Sequence, residues 1–145
     1  MINVKLKYLS GKVSRPEYAT RGSIGMDLSA ATDSSFILRA GERALVSAGI
    51  AVQIPKGYGG FIFARGGIAA KKGIVLANGV GIIDSDYTGE VKILLENISN
   101  EDYTIKSGER IAQMVFLPVE EANLVIVDEL SKTMRGSKGF GSTGK

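Results

Sequence analysis

In the run NGVGIIDSDYTG, residues 78–89, an acid, Asp84, stands directly behind an apolar stretch and just ahead of a turn. The sequence contains no His and no Cys, so the side chains most used as base, nucleophile or transition-metal ligand near neutral pH are missing. Hydrolytic chemistry would then rest on carboxylates, backbone amides, basic side chains and a hard cation. Asp84 is the best single candidate for the base.

Four other segments could meet an anion or a cation. In ARGGIAAKKG, residues 64–73, Arg65 and two glycines precede a short helical pattern, so the amides of Gly66 and Gly67 could point at an anion. The same glycines could equally serve only the shape of a strand-to-helix turn. In GSIGMDLSAA, residues 22–31, Asp27 lies among apolar neighbours in a strand-like run. A carboxylate there costs desolvation unless it is hydrogen-bonded, paired or near a cation such as Mg²⁺. In SGERIAQMVF, residues 107–116, Gln113 interrupts an apolar strand; it could donate to a phosphate, and taken alone it reads as a polar residue on an edge strand. The tail RGSKGFGSTGK begins at Arg135, whose fork suits phosphate oxygens, and Gly139, Gly141 and Gly144 permit amides to converge on an anion. Ser142 and Thr143 add hydroxyls, and Phe140 offers a ring to stack on. Residues 139–145 match the spacing of a P-loop, but that motif needs a preceding strand and a following helix, and the sequence given stops at Lys145.

The elements that must position these residues are short strands. Ile2, Val4, Leu6 and Tyr8 alternate with polar residues, as do Val91, Ile93 and Leu95 around Lys92. Further strands are expected at 36–38, 44–54, 61–63, 74–76, 110–117 and 124–127, separated by Gly-containing turns, with one short helix at 68–72. This is an all-β sandwich or barrel pattern. The length of 145 residues with 44% apolar content fits one domain over residues 1–130, followed by a mobile Gly-rich arm at 131–145. The net charge of +3 is local: Lys132, Arg135, Lys138 and Lys145 stand in an arm without acids, while residues 1–130 carry 14 basic and 15 acidic residues. That favours a local anionic partner over a surface tracking nucleic acid. No run is long and apolar enough for a membrane helix, and Lys5 and Lys7 interrupt what a signal peptide would need. A soluble protein without thiols is expected, compatible with the cytoplasm.

The segments GSIGMDLSA, ARGGIAAKKGI, NGVGIIDSDYTGEV, GERIAQM and RGSKGFGSTG, in this order, resemble the five motifs of the trimeric dUTPase family. The resemblance implies a jelly-roll-like β-barrel subunit, a homotrimer, and sites at subunit contacts closed by the arm of another chain. It implies hydrolysis of dUTP to dUMP and pyrophosphate by water attack at the α-phosphorus, with Mg²⁺ as cofactor. It makes Asp84 the carboxylate that activates water and meets the 3′-hydroxyl. Asn78 and the backbone of Ile82 would read uracil, with Ile83 and Lys92 as further substrate contacts. Tyr87 would lie under the deoxyribose and exclude a 2′-hydroxyl. Arg65, Gly66, Gly67 and Gln113 would hold the triphosphate, and Asp27 would orient water around Mg²⁺. Phe140 would stack over uracil while Arg135, Ser142 and Thr143 hold the γ-phosphate. Neither a membrane nor a stable nucleic-acid partner is implied.

The family's second motif usually reads Arg-Ser-Gly, and here it is Arg65-Gly66-Gly67. The missing hydroxyl would remove one charge-assisted hydrogen bond, worth roughly 1.5 to 3 kcal/mol, so slowed turnover is expected. The alternatives are a dUTP-binding regulatory protein with little turnover and a relative of dCTP deaminase; that relative uses a Glu base in its third motif, whereas Asp84 followed by Ser-Asp-Tyr fits hydrolysis.

Overall fold

The computed structural model describes residues 1–11, 13, 15–137 and 139. Among them are ten strands and one helix: β1 (Lys5–Tyr8), β2 (Met26–Ser29), β3 (Phe36–Leu38), β4 (Arg43–Gln53), β5 (Tyr58–Ala64), α1 (Gly66–Lys72), β6 (Ile74–Leu76), β7 (Gly81–Ile83), β8 (Glu90–Asn97), β9 (Tyr103–Ile105) and β10 (Arg110–Pro118). One sheet runs β1-β4-β8-β6, a second runs β2-β10-β5-β7, and β3 pairs with β9. Every ladder between named strands is antiparallel.

Period-two alternation puts one face of each strand inside. In β8, Val91, Ile93 and Leu95 are buried while Lys92 is exposed. They meet Leu28, Ile62, Ile111 and Met114 of the second sheet in one core, which removes apolar surface from water and holds the two layers together. A bulge in β4 opposite β8, between Ser47 and Ala51, carries Gly49 at φ +64. A Cβ there would fall 2.2 Å from a Val13 methyl carbon and 2.7 Å from the Ala31 Cβ, so both backbone and space demand glycine. Asn97 is fully buried and satisfied: its Nδ2 donates to the carbonyls of Leu38 and Glu101, and its Oδ1 accepts from Ser99. Burial pushes the Tyr103 phenol up to about 12, helped by its bond to Glu109.

Several expectations shift. The first strand starts at Lys5 instead of residue 2. The helix starts two residues early, at Gly66, so both glycines lie in its first turn. The strand expected at 124–127 does not form; Leu124, Val125 and Ile126 are 88%, 73% and 98% exposed. A strand needs a neighbour for its backbone groups, and no described strand pairs with this segment. Gln113 does not lie on an edge, because β10 runs between β2 and β5.

Candidate functional site

Arg65, Gly66, Gly67 and Gln113, expected to hold the triphosphate, come together with Asp27 where β2, β5 and β10 meet. Asp27 on β2 lies level with Gln113 on β10, which in turn faces Phe63 on β5. Arg65 follows the end of β5 and serves as N-cap residue of α1, in extended conformation and with no side-chain capping bond. Its Nε donates to Asp27 Oδ1 at 2.7 Å, and its Nη1 donates to the Arg110 carbonyl at 3.3 Å. Arg110, at the start of β10, donates from Nη1 to Asp27 Oδ2 at 2.9 Å. The Asp27 side chain is only 17% exposed, so these charge-assisted bonds offset the desolvation of its carboxylate. One carboxylate against two guanidiniums leaves the cluster with net positive charge.

Gln113 supports the same corner by donating from Nε2 to the Ala64 carbonyl at 3.0 Å. Gly66 and Gly67 are exposed beside Arg65, and a Cβ at either would meet no atom within 4 Å. The first turn of α1 contains no acidic side chain, and Lys71 and Lys72 lie in its last turn. Arg110 belongs to this cluster although its position in sequence did not single it out. Its neighbour Gln113 attracted notice by interrupting an apolar run, whereas a charged residue beside a turn looks ordinary until Asp27 is seen opposite.

The second group is built by the excursion from β6, in the first sheet, to β7, at the edge of the second, and back to β8. Asn78 is exposed in the turn after β6, where its carbonyl accepts from the Val80 amide at 2.8 Å. On β7, Ile83 points into the core while Ile82 is 65% exposed. Asp84 is exposed and lines an open groove of about 1370 Å³ with Ile82, Tyr58, Phe61 and Lys56. Its carbonyl accepts from the Tyr87 amide at 3.2 Å, closing the turn, and the Tyr87 hydroxyl donates to the Glu90 carbonyl at 2.8 Å.

Lys92 is exposed on β8, 3.4 Å from Glu90 Oε2. The Ser47 hydroxyl, then Lys92, holds the Glu90 carboxyl below the usual carboxylate range, although burial works the other way. Glu90 is thus a second member of the neighbourhood that sequence reasoning missed.

The two groups stay apart within one chain. In the β5–β7 ladder Gly60 pairs with Ile83, so Asp84 lies level with the beginning of β5, while Arg65 follows its end. At about 3.3 Å per strand residue the separation is roughly 20 Å. Of the arm, Arg135 is exposed beside a turn in which the Gly136 amide donates to Thr133. Phe140, Ser142 and Thr143, with Gly141 and Gly144, lie outside the described residues.

Comparison with known proteins adds names to this geometry. The family model described as dUTPase matches residues 12–144. The chain is similar to the deoxyuridine 5′-triphosphate nucleotidohydrolase of Desulfitobacterium hafniense strain DCB-2, with 46% identity over 99% of the chain and 97% of that protein. With its counterpart in Orientia tsutsugamushi strain Ikeda it shares 47% identity, covering 99% of each. The fold also matches that of a Staphylococcus bacteriophage 80alpha dUTPase solved with dUPNHPP, at a TM-score of 0.87 and 29% identity over all of both chains.

Proposed function

The chain belongs to the dUTPase family and hydrolyses dUTP, and we propose that it does so at sites shared between copies of itself, with water attacking the α-phosphorus and pyrophosphate leaving. The observation that carries this reading is the separation of roughly 20 Å between Asp84 and Arg65, estimated from strand rise. A reaction at one phosphorus needs its base and its anion holders within a few ångströms of the reacting atoms. A neighbouring copy can supply what a single chain keeps apart. The exposed apolar run of Leu124, Val125, Ile126 and Val127 supports contact between copies, since large apolar side chains grouped in water commonly mark an interface. The assembly proposed is a homotrimer.

In this reading Asp84 takes the proton of the attacking water. Asn78 and the backbone of Ile82 read the uracil, with Ile83 and Lys92 nearby. The ring of Tyr87 lies under the deoxyribose. Arg65, Gly66, Gly67 and Gln113 hold the triphosphate, and the arm contributes Arg135, Phe140, Ser142 and Thr143. Preorganised amides and guanidiniums stabilise the charge that develops on the phosphoryl oxygens.

Asp27 fits a metal role poorly. Its oxygens already accept from Arg65 and Arg110, and a net positive corner attracts phosphate and repels a bare dication. Among the described residues no group of three or more acidic side chains could hold an ion. We therefore assign Asp27 the task of aiming the two arginines and place Mg²⁺ on the substrate's own oxygens, where it would neutralise phosphate charge while keeping several waters. The cytoplasm suits a chain without cysteine, and no helix among the described residues is long and apolar enough to cross a membrane.

Mixing two inactive variants tests the shared site. Asp84→Asn and Arg65→Ala should each lose dUTP turnover, measured as pyrophosphate release. Subunits exchanged between them should regain part of it, because some mixed sites hold both intact residues. Absence of recovery in demonstrably mixed trimers would place both residues in the same chain's site and defeat the reading.

A further inference from the structure

Tyr87 is 44% exposed, yet its ring is tied down at both ends. Its amide donates to the Asp84 carbonyl and its hydroxyl donates to the carbonyl of Glu90, three residues on. The ring therefore folds back across residue 89. A Cβ built on Gly89 would lie 2.6 Å from Tyr87 Oη, 2.7 Å from Cζ and 3.0 Å from Cε2. Gly89 is not among the glycines with positive φ, so the backbone does not demand glycine there; the ring does. Gly66 and Gly67 differ, since a Cβ at either meets open space.

The anchor for the hydroxyl is itself held. Glu90 accepts from the Ser47 hydroxyl and lies beside Lys92, and Ser47 also accepts from the Gly49 amide at 2.8 Å, within the bulge of β4. A chain of contacts thus runs from the bulge through Ser47 and Glu90 to the Tyr87 hydroxyl.

We propose that Gly89 is a specificity-determining positioning residue: by leaving room for the Tyr87 ring against the Glu90 carbonyl, it sets the height of the wall that excludes a 2′-hydroxyl. The inference rests on the reading that Tyr87 lies under the deoxyribose. Adding a methyl group at residue 89 pushes the ring outward or breaks its hydroxyl bond, and a displaced wall discriminates less sharply.

The atoms that must move in Gly89→Ala belong to the end of a side chain and not to backbone, so the fold should persist, with Tm as the check. The ratio of kcat/KM for dUTP to that for UTP should fall roughly ten- to a hundredfold. Tyr87→Ala measures the ratio without a ring, and Tyr87→Phe keeps the ring while removing its anchor, with an intermediate fall expected. A relaxed ratio in Tyr87→Ala beside a wild-type ratio in Gly89→Ala and Tyr87→Phe would overturn the role of Gly89 and leave Tyr87 as the wall. An unchanged ratio in Tyr87→Ala would overturn the reading of Tyr87 and the inference with it. Equal losses for both substrates in Gly89→Ala would mark a merely structural role and also overturn it. Should Gly89→Ala fail to fold, Tyr87→Phe decides: a relaxed ratio supports positioning through the Glu90 carbonyl, and a wild-type ratio refutes it.

Discussion

At the end of β5, Asp27, Arg65 and Arg110 arrive from three segments and already hold one another; beside its beginning, Asp84 stands exposed and forms no side-chain hydrogen bond or ion pair with the described residues. The first region is prepared in advance: two guanidiniums are oriented by a largely buried carboxylate, so little reorganisation is needed when a triphosphate arrives. The second is rigid in its surroundings and open in its chemistry. Tyr87 is fixed, and the carboxylate beside it remains available for water. In the function proposed above, one region organises charge for binding and the other keeps the base accessible.

The largest effect should come from the open region. Asp84→Asn keeps size and polarity but cannot accept the water's proton, and kcat for dUTP should fall by about 10²- to 10⁴-fold. Binding of a non-hydrolysable dUTP analogue, followed by calorimetry, should change far less. A parallel loss of binding would mean that Asp84 mainly holds substrate, and the contrast between the regions would fail.

The prepared region should respond differently. Asp27→Asn removes the charge that aims two arginines, each held through a charge-assisted bond. Losing about 1.5 to 3 kcal/mol of such bonding should lower kcat/KM by roughly ten- to a hundredfold, chiefly through KM, and lower Tm as well. If only the Mg²⁺ concentration needed for activity rose, with KM unchanged at saturating Mg²⁺, Asp27 would be a metal residue after all.

The smallest effect expected is a gain. Gly66 has open space where a side chain would begin and is not among the glycines with positive φ, so Gly66→Ser adds a hydroxyl without backbone strain. One additional donor to the phosphate oxygens should raise kcat about tenfold. An unchanged rate would show that the Gly66 amide already suffices.

Much of this molecule is legible in its sequence. Alternation exposed β8 because Val91, Ile93 and Leu95 alternate cleanly, and β4 was found to within a residue at each end. The three-residue β9 is not legible because Tyr-Thr-Ile breaks its apolar run at the centre, whereas the equally short β3 and β6 are apolar throughout. The segment 124–127 misled for the opposite reason: its β-branched residues have strand composition, but composition cannot provide a neighbouring strand. A polar residue in an apolar run usually faces water, so the sequence alone points Gln113 to an edge, whereas its amide is satisfied by the Ala64 carbonyl on a strand between two partners.

The order of the five segments, the absence of His and Cys, and the standing of Asp84 as best candidate for the base follow from residue types and spacing, which are properties of the chain in one dimension. The pairing of Asp27 with Arg65 and Arg110, residues 38 and 83 positions away, does not; nor does the room Gly89 leaves for Tyr87. Ion pairs and close contacts depend on distances in space, and those are set only when the antiparallel ladders bring β2, β5 and β10 side by side. The same ladders put Arg65 and Asp84 at opposite ends of β5, because strand register fixes separation as firmly as it fixes contact.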